Sequence, residues 1–398
     1  MPLNYPNLYP QIKSFVSYTL AHQKRWQENR QACLEKLTNY AHNQAEIQQI
    51  IAQFSQKYAK FLRCAKPTLE ALNASFEKPF GVMLPNIIAA DGSQILPDHH
   101  AQVYFGLVNI SGFVLPGSKE LKAQTLQQSH LFFGEELDNF SDTFLALQRD
   151  LLERKMILDL GKLTPPLRVA LVDGPLEIWL GNKIEMEDLE QYRTKLKDYF
   201  DILGELFQEK VIFAGYIDRP ESNYLVRMLE LVLASQSGVE DIRKFHPFQG
   251  ITDVDILKDT LMPTQRSAIF ELQSSMNLKY PDHSRIYFFY VNVGSQNQPW
   301  LGRIEIPAWV SQDIQLINLI HETVVKQCQI MGNAAYPYVL HRAHELAVVT
   351  QEEKEEITRW IMVEMQRGGL PAGAYSHKQA LKNLSPRQLQ RIKHGGKL

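Results

Sequence analysis

No apolar run in this 398-residue chain approaches the ~18 residues that a membrane-spanning helix needs. An excess of one charge sign is also missing, since 42 Lys and Arg stand against 44 Asp and Glu, a formal −2. That balance excludes coating of nucleic acid by bulk positive charge and leaves room for a local basic patch. Cysteine is scarce. Cys33, Cys64 and Cys328 lie too far apart for a zinc module or a disulfide framework, and they fit a reducing compartment as small buried hydrophobes. Residues 1–15 lack the basic-then-apolar pattern of a secretory signal, so a cytoplasmic, non-membrane protein is expected. There is no internal repeat, Gly-rich phosphate loop with a following Lys-Ser/Thr, dinucleotide fingerprint or zinc-finger spacing, which disfavours nucleotide hydrolysis by this chain.

What is present is ordinary globular composition, 44% apolar and 22% charged, which excludes a wholly disordered chain. Residues 14–80 read as helical. Ile47, Ile51, Phe54, Tyr58 and Phe61 recur at spacings of three and four, one face of a helix. Leu34 and Leu37 mark an earlier helix over 14–42, and the two predict an antiparallel pair serving as a packing or dimer arm. From residue 86 the texture changes to strands. Segments 86–90, 101–110 and 113–115, with Gly112 as a turn, predict an antiparallel meander. A helix follows from an N-cap at Ser141 to about Leu160, stopped by Gly161.

Strand 168–172, helix 186–208, strand 210–215 and helix 223–234 come next. The order β-β-β-α-β-α-β-α is that of a ribonuclease H-like fold, an α/β mixed sheet flanked by helices, here with an N-terminal helical extension. Residues 238–284 read as an insertion of short helices and loops, and 286–293 with 302–306 as a hairpin. The expected divisions are a helical region 1–80, an α/β domain 81–350, and a C-terminal helix with a basic tail, 351–398. From 376 onward that tail carries Lys378, Lys382, Arg387, Arg391, Lys393 and Lys397 with no acid, a solvated segment or a phosphate contact.

Asp91 and Asp173 each follow an apolar strand signal and each precede Gly, which alone would fit a tight turn. In the strand order above, however, the first and fourth strands are neighbours, so the two carboxylates can face one another. Glu153 lies on the joining helix, with Ile157 at about +40° and Met156 at about −60° around the axis, at the border of an apolar face. Three converging carboxylates repel unless cations neutralise them, and hard oxygen ligands suit Mg²⁺ or Mn²⁺. Two such ions about 4 Å apart serve phosphodiester hydrolysis. His344, in His341-Arg-Ala-His344-Glu345, suits a metal or a proton transfer, although a lone histidine more often packs or hydrogen-bonds.

These residues resemble the NurA family of DNA-repair nucleases. The strand followed by Asp-Gly-Ser matches Ile88 to Ser93, and the second aspartate motif matches Leu171-Val-Asp173-Gly-Pro175. Glu153 matches the helix glutamate, Arg303-Ile-Glu305-Ile-Pro307 an Arg-x-Glu-x-Pro pattern, and Tyr336-Pro337 with Ala343-His344-Glu345 the histidine motif. The resemblance implies a nuclease domain over 81–350, with Asp91, Glu153, Asp173 and His344 as catalytic and metal-ligating residues. It implies Mn²⁺ (or Mg²⁺) in a two-ion site, a homodimer acting on DNA, and a hexameric HerA-type translocase as partner. Exonuclease action, 5′ to 3′, and single-strand endonuclease action in double-strand break repair belong to the same implication.

Two departures stand out. Pro175 occupies a position that is more often small in the family, and Tyr216-Ile-Asp218-Arg219-Pro220 replaces a lysine-led segment. Arg219 there would grip phosphate, with Tyr216 as a second substrate contact; the alternative is that Asp218 adds a carboxylate to the site instead. The readings left open are a decayed adaptor subunit of a translocase and a nuclease for RNA or junctions.

Overall fold

Ile87 and Ala89 face one core while Ile88 and Ala90 face another, so the central strand is apolar on both sides and must lie inside a layered sheet. The computed structural model describes residues 3–79, 81, 84–98, 101, 103–118, 120–133, 142–178 and 189–369. Its strands are β1 (Cys64–Pro67), β2 (Ser75–Phe76), β3 (Asn86–Ile95), β4 (Gly106–Leu115), β5 (Gln124–Phe132) and β6 (Arg168–Asp173). They continue as β7 (Ile212–Ile217), β8 (Arg266–Ser267), β9 (Phe270–Gln273), β10 (Ile286–Asn292) and β11 (Leu301–Pro307). The helices are α1 (Tyr5–Asn39), α2 (Gln44–Tyr58), α3 (Asp142–Leu163), α4 (Leu189–Gln208) and α5 (Tyr224–Gln236). After these come α6 (Asp253–Leu257), α7 (Ala308–Ser311), α8 (Ile314–Ile330), α9 (Tyr338–Ala347) and α10 (Gln351–Arg367).

One mixed sheet runs in the order β1-β9-β10-β11-β7-β6-β3-β4-β5, with β2 and β8 paired beside β10. Within it, β5-β4-β3-β6-β7 has the ribonuclease H-like arrangement, with antiparallel β3–β4 and β4–β5 and parallel β3–β6 and β6–β7. Helices α3 and α4 cover the face of Ile88, Ala90, Ala170 and Val172. Helices α8 and α9 cover the face of Ile87, Ala89, Val169 and Leu171. No helix among the described residues is long and apolar enough to cross a membrane.

Several expectations are corrected. The stretch 14–80 is not all helical, because β1 and β2 join the far end of the sheet. The buried run at Cys64 is too short for a helix and is closed by Pro67, so pairing with β9 satisfies its backbone groups. Helices α1 and α2 rest on α5 instead of forming a free-standing pair. The insertion 238–284 contributes β8 and β9 to the same sheet.

The third strand of the meander is β5, not 113–115. Gly112 is no turn. It lies inside β4, where a Cβ would collide with Leu160 and Met156 of α3. Helix α3 also runs through Gly161 to Leu163 and stops short of Pro165, whose ring disfavours a helical residue before it. The Ser141 cap, the start of α4 before Leu189 and the basic tail lie outside the described residues.

Candidate active site

Strand β3 does not end at Asp91 but continues through Gly92 and Ser93 to Ile95, paired with β4 throughout. Its parallel partner β6 stops at Asp173. The last registered pair is Ala90 with Val172, so Asp91 and Asp173 occupy the next, equivalent positions on neighbouring strands. Strand alternation points both toward the α8–α9 side.

Helix α9 starts after Pro337 and ends over the sheet. The carbonyl of Ala347 accepts from Ser93 Oγ on β3 and from Asn109 Nδ2 on β4, and that of Leu346 from Gln127 Nε2 on β5. Three adjacent strands thereby fix the end of the helix that carries His344. Its Nδ1 lies 2.7 Å from Asp91 Oδ2, and the imidazole is largely exposed. With Nδ1 committed to Asp91, Nε2 is the ring nitrogen left for a ligand.

Burial raises the pKa of Asp173 above the usual carboxylate value, and the charge of Asp91 raises it further. Tyr336 opposes this through a side-chain hydrogen bond to Asp173, while its own hydroxyl is pushed up by burial and then by Asp173. The loop after Asp173 is held from below. Glu305, wholly buried, accepts from the Leu176 amide at 2.8 Å and from Arg303 at 2.9 Å.

Glu153 lies behind β3, beside the residue that follows Asp91. A Cβ on Gly92 would lie 3.0 Å from Glu153 Oε1 and 2.7 Å from Arg149 Cγ, so Glu153 sits against the opposite face of β3 from Asp91. Its carboxylate is paired with Arg154 at 3.0 Å and Arg149 at 3.4 Å. Burial raises its pKa, and Arg154 pulls it back. Its Oε1 nevertheless lies beside Gly92, the residue after Asp91, and the charge of Asp91 raises the Glu153 pKa as well, so Glu153 approaches the acid pair from behind β3.

Tyr216 is not a substrate contact. It is fully buried, its hydroxyl donates to the Ala335 carbonyl at 3.1 Å, and its ring meets Tyr336 edge-on. Arg219 is exposed, in a left-handed backbone conformation, with its guanidinium 4.2 Å from the centroid of Trp300. Asp218 accepts from Trp300 Nε1 at 2.7 Å and adds its negative charge to the field at Asp173.

Among the described residues no three His, Cys, Asp or Glu side chains are drawn together closely enough to hold an ion as they stand. The chemistry of the donors at Asp91, Asp173 and His344 nevertheless fits a divalent cation. Two carboxylates side by side raise the pKa of one of them, and a cation between them relieves that repulsion. Glu153, paired with two arginines in this structure, would join that donor set by exchanging an arginine for the cation.

The NurA domain model matches residues 85–349, from the start of β3 to the end of α9 and beyond. The chain belongs to the NurA family. No curated protein matches it. Among solved structures it is similar to the NurA nuclease from Sulfolobus solfataricus at 14% identity, over 84% of this chain and 97% of that one, with a TM-score of 0.49. It is also similar to the catalytic domain of human endonuclease V, at 15% identity over 85% and 99% of the two chains, TM-score 0.33. Aquifex aeolicus Argonaute gives 11% identity over 70% and 30%, TM-score 0.31.

In this NurA-family chain the residue that sequence reasoning passed over is Tyr336. It was visible as part of Tyr336-Pro337, but nothing in the spacing tied its hydroxyl to Asp173. Glu305 was legible as a motif position, and only the structure gives it the task of holding the Leu176 amide.

Proposed function

We propose that the chain is a metal-dependent DNA nuclease that hydrolyses phosphodiester bonds, with 5′-to-3′ exonuclease and single-strand endonuclease action in end resection. The observation that carries the reading is the side-by-side placement of Asp91 and Asp173, with His344 bonded to the first and Tyr336 to the second. Asp91, Asp173 and His344 would hold Mn²⁺ or Mg²⁺, in a one- or two-ion site. A divalent ion there supplies Lewis acidity at a phosphodiester. Asp91 orients the imidazole of His344, whose Nε2 would then either complete the metal donor set or exchange a proton with a phosphate-ester oxygen. Tyr336 holds Asp173 in place, and Arg219 lies exposed for a backbone phosphate. Contacts of this kind read phosphates and not bases, so sequence preference is expected to be small.

The same reading includes a homodimer and a hexameric HerA-type translocase. Support for a dimer arm comes from α1, whose Tyr5, Tyr9, Ile12, Phe15 and Val16 are exposed at helical spacing, with burial against the body starting only near Trp26. The hairpin 286–306 offers no free strand edge for such a contact, because β10 and β11 are paired on both sides inside the sheet. A single-protomer mass in solution at micromolar concentration would count against the dimer.

The deciding assay uses end-labelled single- and double-stranded DNA, with matched RNA and junction substrates, in Mn²⁺, Mg²⁺ or EDTA. DNA cleavage that needs metal and disappears in Asp91→Ala is the expected result. Metal-dependent cleavage that persists in clean Asp91→Ala and Asp173→Ala preparations sinks the reading. The rival is an adaptor with a decayed site, favoured by the pairing of Glu153 with arginines. It predicts DNA or translocase binding without cleavage by the wild type.

A further inference from the structure

Between the loop 293–300 and the end of α8 lies a cavity of about 310 Å³ that the reaction described above does not use. It is lined by Gly294, Ser295, Gln298, Trp300, Gln329 and Ala335, among others. Its volume is at the lower end of the ~300–1,000 Å³ typical of small-ligand pockets. Two short chains of contacts tie it to Asp173. The Ala335 carbonyl accepts from Tyr216, and the next residue, Tyr336, bonds to Asp173. On the other side Trp300 Nε1 donates to Asp218, whose charge reaches Asp173.

The cavity is built, not incidental. The Asn292 side-chain oxygen accepts from the amides of both Gly294 and Trp300, and the Val293 amide donates to the Trp300 carbonyl, so the loop presenting the indole is closed at its base. Gly294 has no room for a Cβ, which would stand 2.5 Å from the Trp300 nitrogen. Gly332, another lining residue, has a φ of +59°, and a Cβ there would meet nothing within 4 Å. The Trp300 ring is half-buried, hydrogen-bonded along its edge, and overlain by Arg219. Arg219 holds a φ of +45°, a conformation that a side-chain-bearing residue rarely adopts without a compensating contact.

We propose that this cavity takes one unstacked nucleobase of a DNA single strand, with Trp300 as its stacking wall, Arg219 on the adjoining phosphate, and the amide side chains of Gln298 and Gln329 at the base edge. The identification of the ligand as DNA rests on the nuclease reading. An aromatic wall favours any base, since every base has a π face, while the amides supply donors and acceptors without fixing one sequence. A duplex would have to fray by one base to engage, which gives the site a preference for single-stranded ends.

The test is fluorescence anisotropy of a labelled single-stranded 12-mer, with Ca²⁺ as the cation, for the full chain. A series of strands carries one abasic residue at successive positions. Wild type should bind the intact strand about tenfold more tightly than the strand abasic at one particular position. Trp300→Leu should lose that difference, and Trp300→Phe, which keeps a ring, should retain most of it, with unchanged thermal unfolding certifying both folds. Equal Kd values for the intact strand and every abasic strand with wild type, or no binding of any, overturn the pocket. So does a Trp300→Leu variant, folded, that still senses the missing base. Metal-dependent cleavage without base-sensitive binding removes the pocket and leaves the nuclease. Base-sensitive binding without cleavage removes the nuclease and leaves the pocket.

Discussion

At the scale of single residues, the site separates groups that meet a substrate from groups that hold those groups still. Tyr336 is of the second kind. Its hydroxyl donates a side-chain hydrogen bond that stabilises the Asp173 carboxylate against burial and against the charge of Asp91. Tyr336→Phe keeps the ring that packs on Tyr216 and removes only the donor. Cleavage should fall by about tenfold, the worth of a ~1.4 kcal/mol hydrogen bond to a charged group, with little change in unfolding temperature. A rate equal to wild type would show that Asp173 needs no such support.

Glu153 predicts a loss of both stability and cleavage. Glu153→Gln leaves the buried Arg154 with Asp150, 4.0 Å away, as its remaining carboxylate and should cost about 1–3 kcal/mol of stability, the penalty for a buried polar group that loses a partner. Cleavage per folded molecule should fall by about tenfold or more, at least ~1.4 kcal/mol in barrier. Cleavage equal to wild type per folded molecule would remove Glu153 from the metal-binding set.

At the scale of elements, close approach between α3 and the sheet is bought with two glycines, Gly92 and Gly112. Gly112→Ala would push a methyl into Leu160 and Met156, atoms deep in the core with nowhere to move. It should destabilise by about 1–3 kcal/mol through overpacking, read as a lower urea midpoint with an unchanged slope. An unchanged midpoint would mean that α3 stands farther from β4. The same glycine explains what the sequence concealed. Gly between apolar runs reads as a turn, and only the helix packed above it reveals a strand.

β5 was hidden for a different reason. Gln124, Gln127, Gln128 and Ser129 are exposed polar residues on an edge strand, so no apolar alternation marks it. The parallel strands β6 and β7 were legible because strands buried on both faces are apolar throughout. Of the candidate site, Asp91, Asp173 and His344 could be found from spacing and family resemblance. The face on which Glu153 lies could not, since it depends on where β3 ends. The burial of Tyr216 follows from its place opposite Asp173 on β7, a register that only the sheet reveals.

At the scale of the whole molecule, the pH dependence of folding has an identifiable contributor other than the acid pair. His321 of α8 is wholly buried, and its Nε2 lies 2.7 Å from the carbonyl of Thr264, a residue held at a φ of +69° just before β8. Burial lowers the imidazole pKa to about 4, against the opposing effect of the Thr264 hydrogen bond, with Arg266 lowering it further. Above the ordinary histidine value near 6.5 the ring is neutral in both folded and unfolded chains and contributes no pH dependence. Below it the unfolded chain gains a proton that the folded chain refuses until about pH 4. Stability is therefore lost as pH falls through that window, at about 1.4 kcal/mol per unit and roughly 3 kcal/mol in all. His321→Gln keeps an N–H donor for Thr264 and cannot titrate. Urea midpoints measured from pH 7 to 4 should fall more steeply for wild type than for the variant, the two curves converging as the wild type loses its advantage. Parallel curves would show that His321 charges in the folded state as readily as in the unfolded one.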